Sequence, residues 1–172
     1  LTQPCHHICV TRDDYADVEL TFLLGLGFQL VLGEFTRRLA EVGQGDLRPV
    51  HGMAFQALQG GGATATELAE RLGVTKQAAG QIVDDLERRG YVRREPHPEG
   101  GRRRLVVLTG AAREHLSVAG RVLHQLEDEL AGTADLAALR RELGHVVRAL
   151  HGEDGLPPLR PCLLYTSDAA DE

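Results

Sequence analysis

TATELAERLGVTKQAAGQIVDDLERRGYVRREPHPEGGRRRLVVLT, residues 64–109, decides the fold. Thr64 stands three residues before Glu67, the spacing at which a hydroxyl and a carboxylate satisfy orphan backbone donors at a helix start. Leu68, Ala69 and Leu72 fall on one face of that helix, and Gly73 ends it. Val74 fills the corner and Thr75 caps a second helix, in which Ala79, Ile82, Val83 and Leu86 form the inward stripe before Gly90 stops the chain. Two short helices joined by a tight glycine-containing turn make a helix-turn-helix. Residues 91–94 and 105–108 are β-prone, and the Pro- and Gly-rich stretch 96–101 predicts an extended hairpin, or wing, with Arg102, Arg103 and Arg104 at its return.

On the N-terminal side, Gly60, Gly61 and Gly62 read as a flexible joint, and residues 47–59 as a helix with Pro49 in its first turn, where a missing N–H does no harm. Before that, Leu20, Leu24, Phe28, Val31, Phe35, Leu39 and Val42 recur every three or four residues, one stripe of a long helix. Gly25, Gly27 and Gly33 weaken it, so its stability must come from packing against something else, a partner subunit being the natural candidate. On the C-terminal side, Thr109 caps a helix carrying Leu116, Ala119, Leu123, Leu126 and Leu130, closed by Gly132. A last helix carries Leu136, Leu139, Leu143, Val146 and Leu150 at the alternating spacing of a helix seam. The fold class expected is mainly α with a small β-hairpin wing: a winged helix-turn-helix flanked by N- and C-terminal dimerisation helices. One domain is expected over residues 17–155, with a DNA-binding lobe at 47–109 and dimerisation helices at 17–43 and 109–152. Residues 1–16 read as a non-native or disordered segment. Residues 156–172 read as a disordered tail whose end, 162–172, resembles a translated adapter sequence.

The net charge of −6 argues against a nucleic-acid binder until its distribution is examined. Residues 64–109 hold nine Lys and Arg against seven Asp and Glu, whereas the segments on either side are both acidic. Between Arg88 and Arg104 seven arginines face only Glu95 and Glu99, a local cationic footprint that a dimer doubles. On the second motif helix, Lys76, Gln77, Ala78, Gly80 and Gln81 lie opposite the inward stripe, where a helix in the major groove meets base edges. Gln77 and Gln81 suit adenine, Lys76 guanine or phosphate, and Ala78 and Gly80 keep the face thin. Thr75 at the helix start suits a phosphate. Arg102 fits a narrow minor groove, with Arg103 and Arg104 as backbone anchors.

These residues resemble the MarR family of multiple-antibiotic-resistance-type regulators over about residues 20–152. ELAERLGVTKQAAGQIVDDLERRGYV, residues 67–92, is similar to that family's helix-turn-helix in order, length and turn placement. The family's wing reads Asp-x-Arg, five residues, then Leu-Thr. Here the Arg is Arg102 and Leu108-Thr109 is intact, but Gly100 stands at the Asp position, with Glu99 beside it as the substitute carboxylate. The resemblance implies a triangular homodimer with its terminal helices intertwined; cysteines confined to the chain ends fit a reducing cytoplasm, and the dimer's two-fold symmetry a pseudo-palindromic operator. The resemblance further implies a repressor released from DNA by an oxidant or by a phenolic or other aromatic effector, with a small-molecule pocket between the dimer helices and the DNA-binding lobe. His51 and Phe55, one turn apart, are candidates for that pocket, with core packing as the alternative.

Other chemistries have less support. Asp84 with Arg88, and Asp85 with Arg89, have the spacing of surface ion pairs rather than of a carboxylate site. Cys5, His6, His7 and Cys9 are metal-loving but lack a second cluster, and a peroxide-sensing cysteine lacks an acidifying environment. His115, His124, His145 and His151 have no zinc-protease spacing, and no phosphate loop or nucleophile elbow supports an enzyme. No metal or cofactor is expected, nor a membrane span or export signal. A winged helix that docks proteins without touching DNA is the remaining alternative.

Overall fold

The computed structural model describes residues 15 and 17–152; Cys5, His6, His7, Cys9 and Cys162 lie outside the described residues. Local signals set the element order: α1 (Leu20–Glu41), α2 (Pro49–Leu58), α3 (Ala65–Leu72), α4 (Lys76–Arg88), β1 (Val92–Pro96), β2 (Arg104–Leu108), α5 (Gly110–Ala131) and α6 (Leu136–His151). Thr64, Thr75 and Thr109 cap α3, α4 and α5 by accepting from Glu67, Ala78 and Ala112 N–H, and Glu67 returns the bond to Thr64 N–H at 2.7 Å. Asp135 caps α6 in the same way.

By compactness the chain divides into two units, residues 1–34 and 35–172. In the first, the described helix is the leading part of α1, and Leu20, Phe22, Leu23, Leu24, Phe28, Leu30 and Val31 are all exposed. In the second, Val50, Phe55 and Leu58 of α2, Leu68 and Leu72 of α3, Ile82, Val83 and Leu86 of α4, Val92, Val106 and Leu108 of the strands and Ala112 of α5 form one core. α6 buries none of its residues, and its seam residue Leu150 is 84% exposed. α5 turns Ala112, His115, Val122 and Leu126 inward and leaves Leu123 at the surface.

β1 and β2 pair antiparallel with Val92 opposite Leu108 and Pro96 opposite Arg104, so the hairpin begins one residue later and runs two residues further along β1 than the sequence predicts. Ala63 adds an isolated bridge to β2, exchanging both backbone hydrogen bonds with Val106 at 3.1 and 2.8 Å. That bridge corrects the flexible-joint reading of Gly60–Gly61–Gly62. Gly62 has φ +97, and a Cβ there would lie 2.6 Å from the Val106 carbonyl oxygen, so the third glycine is a close-approach point clamped to the sheet.

Candidate nucleic-acid interface

α4 is held from below. Ala79, Ile82, Val83 and Leu86 are buried as the sequence predicts, which turns the opposite face of the helix outward. Lys76, Gln77 and Gln81 are exposed there, with Ala78 and Gly80 half-buried between them. Thr75 Oγ accepts from Ala78 N–H at 3.1 Å, which leaves its hydroxyl proton free to be donated at the positive end of a 13-residue helix.

The wing flanks α4 through β1. In the loop between β1 and β2, Gly100 and Gly101 have φ of +78° and +80°, two successive left-handed residues that turn the chain back. Gly100, where the wing pattern has Asp, holds this left-handed backbone without strain. The substitute is not Glu99 acting on Arg102: Glu99 accepts from Arg103 at 2.6 Å. Arg102, Arg103 and Arg104 are all exposed, and Arg104 also donates to the Arg94 carbonyl at 3.2 Å.

Two carboxylates on α4 depart from the surface-pair reading. Asp84 pairs with Arg94 of β1 rather than with Arg88, and Arg94 also holds Glu87. Those bonds, the Asp84 one first, raise the Arg94 pKa and keep it charged. Asp85 does meet Arg89 at 3.1 Å, but it is only 9% exposed and is the centre of a network rather than a surface partner. It also accepts from Arg88, and its Oδ2 lies 3.2 Å from His51 Nε2 and 3.7 Å from Arg48. Burial pushes the Asp85 carboxyl up, yet donation from Arg89 and Arg88 wins and holds it below its usual range.

His51 and Phe55, the candidates for an effector pocket, are both 0% exposed inside the core. Arg48 N–H donates to His51 Nδ1 at 3.2 Å, which fixes Nδ1 as the acceptor and leaves the ring proton on Nε2, aimed at Asp85. Phe55 packs against the rings of Tyr91 and His115 at 5.6 and 5.7 Å. Tyr91 Oη donates to Asp46, and His115 Nδ1 donates to Gln44 at 2.8 Å, so the α1–α2 loop is tied to both α5 and the start of the wing. Core packing thus accounts for both residues.

The buried network and the Arg94 clamp are what the sequence reading missed. A histidine at the third position of a proline-started helix hinted at His51, but its partner is 34 residues away and no local spacing announces it. Among the described residues no group of three or more His, Cys, Asp or Glu is arranged to hold a metal, and no helix is long and apolar enough to cross a membrane.

Residues 46–103 match the family model described as MarR family. Among solved structures, apo wild-type MarR from E. coli is 22% identical with a TM-score of 0.62, covering 76% of this chain and 98% of that one. RV1404 from Mycobacterium tuberculosis is 23% identical with a TM-score of 0.64, over 84% of this chain and all of that one, 100%. A point mutant of S. aureus MepR, solved bound to an oligodeoxyribonucleotide, is 16% identical with a TM-score of 0.56, over 77% and 99%. No curated protein matches the chain. α3 and α4 stand in helix-turn-helix order, the match to the MarR family model spans both together with β1, and β2 completes the two-stranded hairpin of a winged helix like that of these neighbours.

Proposed function

We propose that the protein is a cytoplasmic transcription regulator that binds double-stranded DNA as a homodimer and represses until a small aromatic effector releases it. The observation that carries the DNA reading is the outward polar face of α4, fixed by a fully buried opposite face and flanked by an arginine-bearing hairpin. In this reading Gln77 and Gln81 pair with adenine edges, Lys76 meets guanine or phosphate, and Ala78 and Gly80 allow close approach. Thr75 donates to a phosphate, Arg102 enters the adjacent minor groove, and Arg103 and Arg104 anchor the backbone. Self-association is supported by the exposed apolar side chains of α1 and α6, which two copies would bury together. An effector acts by binding the DNA-competent and released forms with different affinity, and the enclosed positions of His51 and Phe55 argue against those two as its contacts.

Selecting bound duplexes from a random pool tests the assignment. The expected product is a two-fold pair of half-sites about one helical turn apart, with affinity falling steeply as salt rises. Gln77→Ala should relax one base position at a cost of about 1–3 kcal/mol, and Arg102→Ala should weaken binding to A·T-flanked sites most. Retention of no duplex at low ionic strength would overturn the reading in favour of a protein-docking module.

A further inference from the structure

The outward face of α4 has an electrostatic flaw. Gln77, Gln81 and Asp84 follow one another at steps of four and three, so they form one stripe, and Asp84 lies only about 4.5 Å further along the axis than Gln81. Glu87 follows Asp84 one turn on. A helix entering a groove lined by phosphates would carry two carboxylates toward them, within the ~8–10 Å over which charges still act at moderate salt. Repulsion of that kind opposes docking at the step where Lys76 is the one cation in the first turn of the helix.

Both carboxylates are held by one side chain, and that side chain comes from the wing. Arg94 sits on β1, half-buried between strand and helix, with one terminal nitrogen on Asp84 and the other on Glu87. The neighbouring arginines have other partners: Arg88 and Arg89 are directed to Asp85, Arg93 to Glu95 and Arg103 to Glu99.

Resting on the DNA-binding reading, we propose that Arg94 is a positioning residue for recognition, a screen that takes the carboxylates of Asp84 and Glu87 out of opposition to DNA phosphate. It acts through those two groups and not by touching DNA. The structure supports this over a simple tether in one respect: β1 packs on α4, and its Val92 is buried in the same core as Ile82, Val83 and Leu86, so the wing has an apolar attachment without the ion pairs.

The test compares full-length wild type, Arg94→Gln, the double variant Asp84→Asn/Glu87→Gln, and the triple variant combining them. Binding to a duplex selected by the wild-type protein is followed across a salt series. Arg94→Gln should lose roughly tenfold or more in affinity, and that loss should shrink as salt rises, because like charges left facing phosphate are screened. The triple variant, which lacks both the ion pairs and the carboxylates, should recover to within roughly threefold of wild type. The double variant frees Arg94 for phosphate, so it should bind more tightly with a steeper salt slope.

Failure of the triple variant to recover would overturn the screen, since a tether is lost in it as surely as in Arg94→Gln. Unchanged affinity in Arg94→Gln would overturn it too. If Arg94→Gln does not fold by circular dichroism, the double variant decides: unchanged or weaker binding refutes the proposal. Wild-type protein that selects no duplex refutes the DNA-binding reading itself, an outcome distinct from all of these.

Discussion

His51 does two things at once that only a neutral imidazole can do: Nδ1 accepts from the Arg48 N–H while Nε2 donates toward Asp85. Burial first, then the Arg48 guanidinium, lowers its pKa from 6.5 to about 4 against the opposing pull of Asp85. The unfolded chain therefore takes up a proton near pH 6.5 that the folded chain refuses until about pH 4. Between those values the unfolded state binds more protons, so stability is intact above the window and is lost as pH falls through it. His115, lowered by burial, acts in the same direction. Urea titrations at pH 7 and pH 4.5 should differ by about 2–3 kcal/mol on account of His51, and His51→Gln should flatten the dependence. A flat wild-type curve would refute this account. Gly62 permits a second prediction at the same scale: Gly62→Ala forces a Cβ against the Val106 oxygen in a left-handed backbone, and should cost about 2 kcal/mol or more in Tm or urea midpoint.

Among elements, α3 and α4 depend on short-range chemistry that can be changed singly. Thr64→Ala removes a reciprocal cap and should destabilise the fold by about 1 kcal/mol. Thr75→Ala should cost a similar amount and also weaken DNA binding, a difference visible by measuring both variants for melting and for affinity. Such local signals are why α3, α4 and the start of α5 were readable in advance: cap, stripe and stop all lie within one element. Where the deciding partner is distant, the reading failed. Asp85 has the spacing of a surface pair with Arg89, yet α2 closes over it and supplies His51. Asp84 sits four residues before Arg88, but β1 brings Arg94 to it from the far side of a turn. The outward face of α4 was legible because exposure there is the complement of a buried stripe. The Gly100–Gly101 turn was not, since its cause is backbone handedness in the hairpin loop.

For the whole molecule, the apolar side chains left in water are the largest unsettled quantity. Leu24 and Phe28 on α1, and Leu139 and Leu150 on α6, are exposed in a single copy. Sedimentation equilibrium should give the mass of two chains, and Leu24→Glu with Phe28→Glu should weaken self-association at least roughly tenfold and lower operator affinity with it. A wild-type protein that sediments as one chain would refute the dimer.

The manner in which Ala63 closes on Val106 limits how two copies can meet. β2 has a neighbour on each flank, β1 on one and the Ala63 bridge on the other. The outer flank of β1 carries Arg93 and Glu95 and ends at Pro96, which has no N–H to give. A hairpin guarded on both rims is a poor template for zipping onto a second hairpin, which disfavours cross-β aggregation through the wing.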